Sequence, residues 1–303
     1  MRVGFIGVGN MGGPMCMNVV RAGHEVVVTD IRRDAAAPLL EAGAKWVDTA
    51  KEAAAGAEVV FMSLPMPADV ESVMTKPDGV LAGVASGAAV VDLSTNSPAV
   101  VRRLAEVCKE KGVGFLDAPV SGGVVGARRG TLAVMVGGDA ALFEHCKPLL
   151  DAIGENVFHA GDVGAGNVAK LVNNMLAFIN MMGVCEGLVL GAKAGIDPMV
   201  LKDIVAAGSG NSMVWRGGSR AILRDRLAPS FTMSLAAKDI GLAAAMAEEF
   251  GATIPMGLRA KELIERYRDN GYAGEDVLAA VKEYEKFADR VVRGAWPAEE
   301  EKG

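Results

Sequence analysis

The sequence predicts an α/β domain with a parallel sheet, followed by an all-helical domain. From residue 2 to about residue 160, short runs rich in Val, Ile and Phe alternate with segments of helical apolar spacing. This alternation is typical of βαβ units, in which helices cover a parallel sheet. From Gly164 onward only helical spacing is found, with Gly and Pro residues between the segments. We therefore expect one domain at 1–163 and a second at 164–303.

Length and composition limit the classes of function. A chain of 303 residues exceeds the usual size of one domain. Its net charge of −6 provides no basic surface of the kind that nucleic acid requires. The 4 cysteines form no C-x-x-C pair, and together with the 3 histidines they show no metal-ligand spacing. We expect a reduced, metal-free, cytoplasmic protein that does not bind nucleic acid.

A glycine motif follows the first predicted strand, RVGFIG. Gly7, Gly9 and Gly12 are spaced as G-x-G-x-x-G between that strand and a helix that begins near Met11. The first two glycines let a pyrophosphate approach backbone N–H groups at the helix N-terminus, and the third lets helix and strand pack closely. In this position the motif predicts a Rossmann dinucleotide-binding domain.

The choice of dinucleotide depends on the end of the second predicted strand, EVVVTD. Asp30 lies roughly 20 residues beyond the glycine motif, where a carboxylate binds a ribose 2′-hydroxyl. A carboxylate repels a 2′-phosphate, which favours NAD over NADP. Arg32 and Arg33 follow at once and can instead bind that phosphate, so NADP remains open.

Residues that follow the later strands lie where open α/β sheets bind ligands. Leu64 and Pro65 follow the fourth strand and can pass beneath an adenosine, although a plain turn uses the same residues. Ser94 and Thr95 follow the fifth strand and offer hydroxyls, although Ser97 and Pro98 beside them are an ordinary helix start.

The segment DAPVSGG follows the sixth strand. Consecutive N–H groups at Ser121, Gly122 and Gly123, with the Ser121 hydroxyl, can form a concave site for a carboxylate. A plain turn would use the same residues, so the segment alone leaves both interpretations open.

The most apolar segment of the chain begins with GAGNVAKLVNNML and contains a lysine and two asparagines. Lys170 and Asn174 share one face of the predicted helix and can point into one cleft, whereas Asn173 lies about 100° round the axis. A cation at a helix N-terminus costs a few tenths of a kcal/mol, which favours a functional lysine over one that merely extends to solvent. Interrupting polar residues favour a buried helix over a membrane span.

The remaining helical segments are predicted from apolar spacing, and the terminal WPAEEEKG is expected to fray. A second lysine in an apolar helix, Lys238, lies in LAAKDIGLA, where a solvated surface lysine is the ordinary alternative. The predicted helices are 166–194, 197–206, 232–250, 255–269 and 275–293.

Together these segments resemble the β-hydroxyacid dehydrogenase family, of the 3-hydroxyisobutyrate dehydrogenase or tartronate semialdehyde reductase type. The matching pieces are, in order, GFIGVGNMGGPM, DLSTNSP, DAPVSGGVVGARRGTLAVMVGGD, GAGNVAKLVNNML and KDIGLA. The resemblance implies a Rossmann domain and an all-helical domain joined by a long helix, an active site between them, and a homodimer or homotetramer.

The resemblance also implies roles for individual residues. The resemblance assigns contacts with the cofactor to Gly7, Gly9, Asn10, Met11, Gly12 and Asp30, and it places Leu64, Pro65, Thr95 and Lys238 along the cofactor. It assigns contacts with the substrate to Ser121, Gly122, Gly123, Asn174 and Lys238. Lys170 becomes the catalytic acid/base, with Asn174 orienting the substrate. Trp215 is a candidate wall for the far end of the substrate, with ordinary helix packing as the alternative.

The implied reaction is hydride transfer between NAD(P) and a small 3-hydroxy acid or its aldehyde acid. Lys170 would exchange the hydroxyl proton, and a neighbouring Lys238, an oxidised nicotinamide and partial burial would all depress its pKa. The run SGGVVGARRGTL resembles the hydroxyisobutyrate branch, and EYEKFADRVVRG resembles the tartronate semialdehyde branch. Imine reductases share this architecture but typically lack the lysine, and a non-catalytic scaffold would not need Lys170, Asn174 and Ser121.

Overall fold

A computed structural model describes residues 1–295, so the predicted frayed end WPAEEEKG lies outside the described residues. Contacts divide the chain into two units, Met1–Leu171 and a second that begins at Val172. The first unit contains a nine-stranded sheet. Its strands are β1 (Arg2–Ile6), β2 (Glu25–Thr29), β3 (Lys45–Trp46), β4 (Val59–Met62), β5 (Ala89–Asp92), β6 (Gly114–Asp117), β7 (Val120–Ser121), β8 (Leu132–Gly137) and β9 (Gly154–Gly161).

Helices connect these strands and cover the sheet. The helices of the first unit are α1 (Gly12–Arg21), α2 (Ala37–Glu41), α3 (Ala50–Ala54), α4 (Pro67–Thr75), α5 (Val80–Gly83), α6 (Pro98–Glu110), α7 (Gly123–Arg129) and α8 (Ala140–Asp151), with a 3₁₀ turn at Arg33–Ala36.

The strand order runs β3-β2-β1-β4-β5-β6-β8-β7, with β9 beside β8. The first six strands are parallel, in the order expected of a Rossmann domain, and the predicted fold class is confirmed. Beyond β6 the sheet differs from a wholly parallel one, because β8 runs antiparallel to β6 and β7. A short connection joins β7 to β8, and it consists of Gly122, the 7-residue helix α7, Gly130 and Thr131. A parallel pair needs a crossover of a dozen or more residues, so this short connection enforces the antiparallel pairing.

The central strands are apolar on both faces, which is why they lack polar alternation. Along β4, Val59 and Phe61 pack into one buried cluster, whereas Val60 and Met62 pack into another on the opposite face. Helices cover both faces of the sheet at this point, so each strand residue is removed from water.

The long helix α9 (Ala165–Lys193) belongs to both units. The second unit continues with α10 (Pro198–Ala207), α11 (Met213–Leu223), α12 (Met233–Glu249), α13 (Pro255–Tyr267) and α14 (Val281–Ala288), with a π turn at Arg268–Tyr272 and a 3₁₀ turn at Val277–Ala280. By length and composition α9 could cross a membrane, with a mean hydropathy of 1.7. Its Phe178, Cys185 and Leu188 are nevertheless buried in the core of the second unit, as in the core helix of a globular protein.

Two helical features depart from the sequence prediction. Helix α11 was not predicted, because Gly217 and Gly218 lower its helix propensity. The Ser212 hydroxyl compensates by accepting the Trp215 N–H at 2.8 Å as an N-cap. The predicted helix at 275–293 instead begins as a 3₁₀ turn and ends at Ala288, because the next residue, Asp289, has a φ of 46° that breaks the helix.

Candidate active site

The glycine motif forms the turn between β1 and α1. Gly7 has a φ of 85°, and a Cβ there would overlap the carbonyl oxygen of Ser63. A Cβ at Gly12 would overlap the carbonyl oxygen of Gly7, so the helix approaches the strand as closely as glycine allows. Beside this turn lie Asn10, which is exposed, and Met11, which is half-buried. The turn therefore has the close strand-to-helix packing that is typical of a dinucleotide-binding βαβ unit.

Asp30 directly follows β2, and hydrogen bonds connect it to the glycine turn. Its Oδ2 accepts the Val8 N–H at 2.8 Å, and its Oδ1 accepts the Arg32 N–H at 2.8 Å. The carboxylate is thus held in place, and each oxygen keeps a second lone pair for another donor. The two arginines differ: Arg33 lies over the Trp46 ring at 5.6 Å, and Arg32 Nη2 lies 4.0 Å from where a Cβ of Gly9 would be.

The loops after β4 and β5 are joined by a hydrogen bond. Leu64 is half-buried, and its backbone N–H donates to the Ser94 hydroxyl at 2.9 Å. Pro65 is exposed and Thr95 is half-buried at the same edge of the sheet. Because β1, β2, β4 and β5 are parallel, the predicted cofactor residues of the first unit all follow strand ends at one edge.

The sequence interpretation missed a buried polar cluster at these strand ends, which we call the strand-end network. It consists of Asp92, Ser94, Asn96, Asp117 and Asn167, all at most 4% exposed. Asp92 and Asp117 are register partners at the ends of β5 and β6. Two consecutive buried strands ending in Asp are the signal that could have revealed it.

Hydrogen bonds run through the strand-end network from end to end. Asp92 accepts the Ser94 N–H at 3.0 Å and the Asn96 amide at 3.2 Å. Asn167 Oδ1 accepts the Asn96 N–H at 2.7 Å. Asp117 accepts the backbone N–H of Gly164 and of Asn167, both at 2.7 Å, and the Asn167 amide at 3.1 Å. Burial raises the pKa of Asp117 to about 7, against these donors, which lower it.

The predicted carboxylate site lies where β7 meets α7. Ser121 is half-buried, whereas Gly122 and Gly123 are exposed. Gly122 has a φ of 130° and Gly123 a φ of 62°, conformations that side chains disfavour. This backbone turns sharply and leaves its N–H groups near the start of a helix, as an anion site requires.

Lys170 and Asn174 lie one turn apart on α9 and share a face of that helix. Both are buried, at 8% and 7% exposure. The Asn174 amide donates to Asp239 Oδ2 at 2.6 Å, and Lys238 Nζ lies 2.8 Å from the other oxygen of that carboxylate. Asn173, which the sequence interpretation leaves out of the chemistry, donates to Asn174 Oδ1 at 3.1 Å.

Trp215 is packed in the core of the second unit at 5% exposure. Its indole N–H donates to the Lys202 carbonyl at 3.1 Å, and its ring lies against Gly187. It also borders a cleft of about 350 Å³ within that unit. These packing contacts explain why a tryptophan occupies this position. Its role as a substrate wall stays a prediction.

Two family models match the chain over most of its length. Residues 2–161 match the NAD binding domain of 6-phosphogluconate dehydrogenase. Residues 164–284 match the NAD-binding region of NADP-dependent 3-hydroxyisobutyrate dehydrogenase. The chain belongs to the β-hydroxyacid dehydrogenase family. The resemblance inferred from the sequence is confirmed.

Curated relatives and solved structures agree with this membership of the β-hydroxyacid dehydrogenase family. The chain is 43% identical over 291 residues to a 3-hydroxyisobutyrate dehydrogenase of Pseudomonas aeruginosa, covering 93% of this chain and 98% of that one. It is 38% identical to a 2-(hydroxymethyl)glutarate dehydrogenase of Eubacterium barkeri, covering 97% and 98%. A crystal structure of 3-hydroxyisobutyrate dehydrogenase from Salmonella typhimurium matches with a TM-score of 0.86 at 32% identity, covering 93% and 99%.

This β-hydroxyacid dehydrogenase is therefore an NAD(P)-dependent oxidoreductase of the class that acts on CH–OH groups. The glycine turn fits that cofactor, because Gly7 and Gly12 allow the tight strand-to-helix turn and the nearest atom to an added Cβ at Gly9 is Arg32 Nη2, 4.0 Å away, which leaves space for a pyrophosphate.

Proposed function

We propose that this enzyme transfers hydride between NAD(P), with NAD preferred, and a small 3-hydroxy acid or its aldehyde acid, with Lys170 as general acid/base. The observation that carries the proposal is the pairing of two buried polar side chains, Lys170 and Asn174, on one face of α9. The two side chains lie on the same face near the start of α9, and a positioned amine is suited to proton transfer.

The substrate class follows from two lines of support. The turn at Ser121, Gly122 and Gly123 has the backbone of a carboxylate site. The named substrates of the two curated relatives, 3-hydroxyisobutyrate and 2-(hydroxymethyl)glutarate, share the unit HO–CH₂–CH–COO⁻. D-Glycerate, the reduction product of tartronate semialdehyde, contains the same unit. We propose that the enzyme acts on 3-hydroxypropanoates substituted at C2.

Each proposed site residue has its own role in the reaction. The Ser121 turn binds the carboxylate, and Asn174, held by Asp239, orients the hydroxyl. Neutral Lys170 Nζ accepts the hydroxyl proton during oxidation and returns it to the carbonyl oxygen during reduction. Lys238 adds a second positive charge toward substrate or cofactor. The nicotinamide, when bound, supplies the hydride acceptor or donor.

The cofactor contacts are proposed for the residues at the sheet edge. Gly7, Gly9 and Gly12, with Asn10 and Met11 beside them, would hold the pyrophosphate. Asp30 would bind the ribose, and Leu64, Pro65 and Thr95 would lie along the dinucleotide. The fixed carboxylate of Asp30 supports NAD, because an anion at that point repels a 2′-phosphate.

A substrate panel tests the proposal. Purified enzyme is first titrated with NAD and NADP, and NAD(P)H formation is then followed with 3-hydroxyisobutyrate, D-glycerate, L-serine, 3-hydroxypropionate and 4-hydroxybutyrate. We expect turnover of acids that carry a C2 substituent and a C3 hydroxyl, and little turnover of 4-hydroxybutyrate, whose hydroxyl is one carbon further from the carboxylate. Cofactor binding without turnover of any acid would contradict the proposal.

Assembly and location are proposals as well. Three apolar side chains of α9, Val172, Leu176 and Leu190, are 42%, 53% and 72% exposed, which supports a homodimer or homotetramer. The free, buried cysteines support a reducing cytoplasm. Sedimentation of a monomer at micromolar concentration would contradict the oligomer. The proposed domain limits, 1–163 and 164–303, are supported by the ranges that the two family models match.

A further inference from the structure

Asn167 uses every polar atom of its side chain to fix the first turn of α9. Its Oδ1 accepts the Asn96 N–H at 2.7 Å, and its Nδ2 donates to Asp117 Oδ2 at 3.1 Å. Its backbone N–H donates to the same carboxylate at 2.7 Å. The residue is 0% exposed, so water cannot replace these partners. Asn167 is therefore held at the ends of two strands at once.

Asp117 acts on the same turn as a cap supplied by another element. The first N–H groups of a helix lack partners within the helix, and here the Asp117 carboxylate accepts that of Asn167 together with that of Gly164, the residue before the helix. Gly166 lies between them, and a Cβ there would overlap the carbonyl oxygens of Met135 and Asp117. The first turn of α9 thus packs directly against the backbone of β6 and β8.

Lys170 follows Asn167 by three residues on this helix. That spacing places the two residues about 4.5 Å apart along the helix axis and about 60° apart around it, on one side of the helix. Any tilt or fraying of the first turn would therefore move the lysine. By contrast, Asp117 is 0% exposed and already accepts three N–H groups, so it is unsuited to serve as a base itself.

We propose that Asn167 and Asp117 are positioning residues that hold Lys170 in place for proton transfer. The proposal rests on the proposed function of Lys170. Neither residue needs to touch substrate or cofactor, since both act through the first turn of α9. The strand-end network also reaches Leu64 through Ser94, so the loop proposed to contact the cofactor is fixed to the same buried cluster.

The test compares Asn167→Ala and the isosteric Asn167→Asp with a matched control, Asn18→Ala. Asn18 also bridges two elements, since its amide donates to the Ala127 carbonyl at 2.8 Å. All variants are compared for melting temperature, kcat, KM and cofactor affinity. We expect Asn167→Ala to lower kcat by roughly 100-fold, the loss that a displacement of about 1 Å can cause, with cofactor affinity unchanged. The control should lose stability but keep kcat.

An exchange variant tests the pairing itself. Asn167→Asp places two carboxylates together and should lower kcat, whereas Asp117→Asn with Asn167→Asp restores one amide and one carboxylate. We expect the exchanged pair to recover part of the lost turnover. If Asn167 and Asp117 had only a structural role, these variants would change in melting temperature while the kcat of the folded enzyme stayed at the wild-type value.

A readout without turnover separates this inference from the proposed function. Lysines are labelled with an amine-reactive reagent, and the rate at Lys170 is measured by mass spectrometry relative to Lys193, which is exposed on the same helix. Faster relative labelling of Lys170 in the Asn167 variants supports positioning, even if no acid in the panel is turned over. Wild-type kcat and wild-type relative labelling in a folded Asn167→Ala or Asn167→Asp enzyme would overturn the inference.

Discussion

The Asn174 amide donates to Asp239 Oδ2 at 2.6 Å, and neither side chain is more than 7% exposed. The other carboxylate oxygen lies 2.8 Å from Lys238 Nζ. One buried carboxylate therefore fixes both polar residues of the second unit that are proposed to contact substrate. A buried acceptor that serves a cation and an amide is far harder to replace than a surface ion pair.

Replacing Asp239 by Asn should reduce stability and turnover together. We expect the free energy of unfolding to fall by about 2 kcal/mol, since the buried carboxylate that pairs with Lys238 and accepts the Asn174 amide loses its charge. Asp203→Asn is the matched control, because Lys202 and Asp203 form the same kind of neighbouring pair at 2.6 Å with Asp203 72% exposed. That control should change stability by less than about 1 kcal/mol. Denaturant titration measures the unfolding free energy of both variants, and a steady-state assay measures their kcat. Equal effects of the two substitutions would contradict the prediction.

The buried carboxyl of Asp117 should make stability depend on pH. Burial raises its pKa from 3.8 to about 7, with repulsion from Asp92 contributing, so the folded chain keeps a proton that the unfolded chain releases. The stabilisation from this group is complete below about pH 4 and is lost as the pH rises toward 7, by about 1.4 kcal/mol per pH unit at most. Asp117→Asn should remove this slope, measured as the wild-type minus variant difference in unfolding free energy. A difference that grows with pH would contradict the prediction.

Two glycines should respond in opposite directions to alanine. Gly12→Ala should abolish cofactor binding and lower the melting temperature, because its Cβ would overlap the Gly7 carbonyl oxygen. Gly217 lies exposed inside α11, with nothing within 4 Å of an added Cβ, so Gly217→Ala should raise stability by about 0.5–1 kcal/mol. Calorimetry and cofactor titration test both variants. A Gly12→Ala enzyme with the melting temperature and cofactor affinity of the wild type would contradict the prediction.

Cofactor preference should depend on Asp30. The wild-type enzyme is expected to bind NAD more tightly than NADP, and Asp30→Asn should narrow that preference because the repulsion of a 2′-phosphate is removed. Arg32→Ala should leave NAD affinity unchanged. Fluorescence titration with both dinucleotides measures the ratio. A wild-type preference for NADP that Arg32→Ala abolishes would show that the arginine, and not the carboxylate, selects the cofactor.

The sequence predicts the parts of this fold that rest on local patterns. The glycine motif, the apolar strands and the polar face of Lys170 and Asn174 all have regular spacings, and the fold class followed from them. Helix α11 was missed because a Ser212 cap and tertiary burial override two glycines. The antiparallel strand β8 depends on the length of a connection, which apolar alternation does not report.

The strand-end network escaped prediction for a different reason. Asp117 and Asn167 are far apart in sequence, and only strand pairing and the seating of α9 bring them together. Each taken singly is an ordinary polar residue near a turn. Their joint burial, which gives Asp117 its raised pKa, exists only in the folded chain.

The most direct test of the central claim is the turnover of Lys170→Ala beside Lys193→Ala, an exposed lysine of the same helix. Steady-state oxidation of the best acid in the panel is measured together with NAD affinity for each variant. Loss of a general acid/base predicts that Lys170→Ala loses roughly 10²–10⁴-fold in kcat with NAD affinity intact, while Lys193→Ala stays active. Turnover of Lys170→Ala within tenfold of wild type would contradict the account.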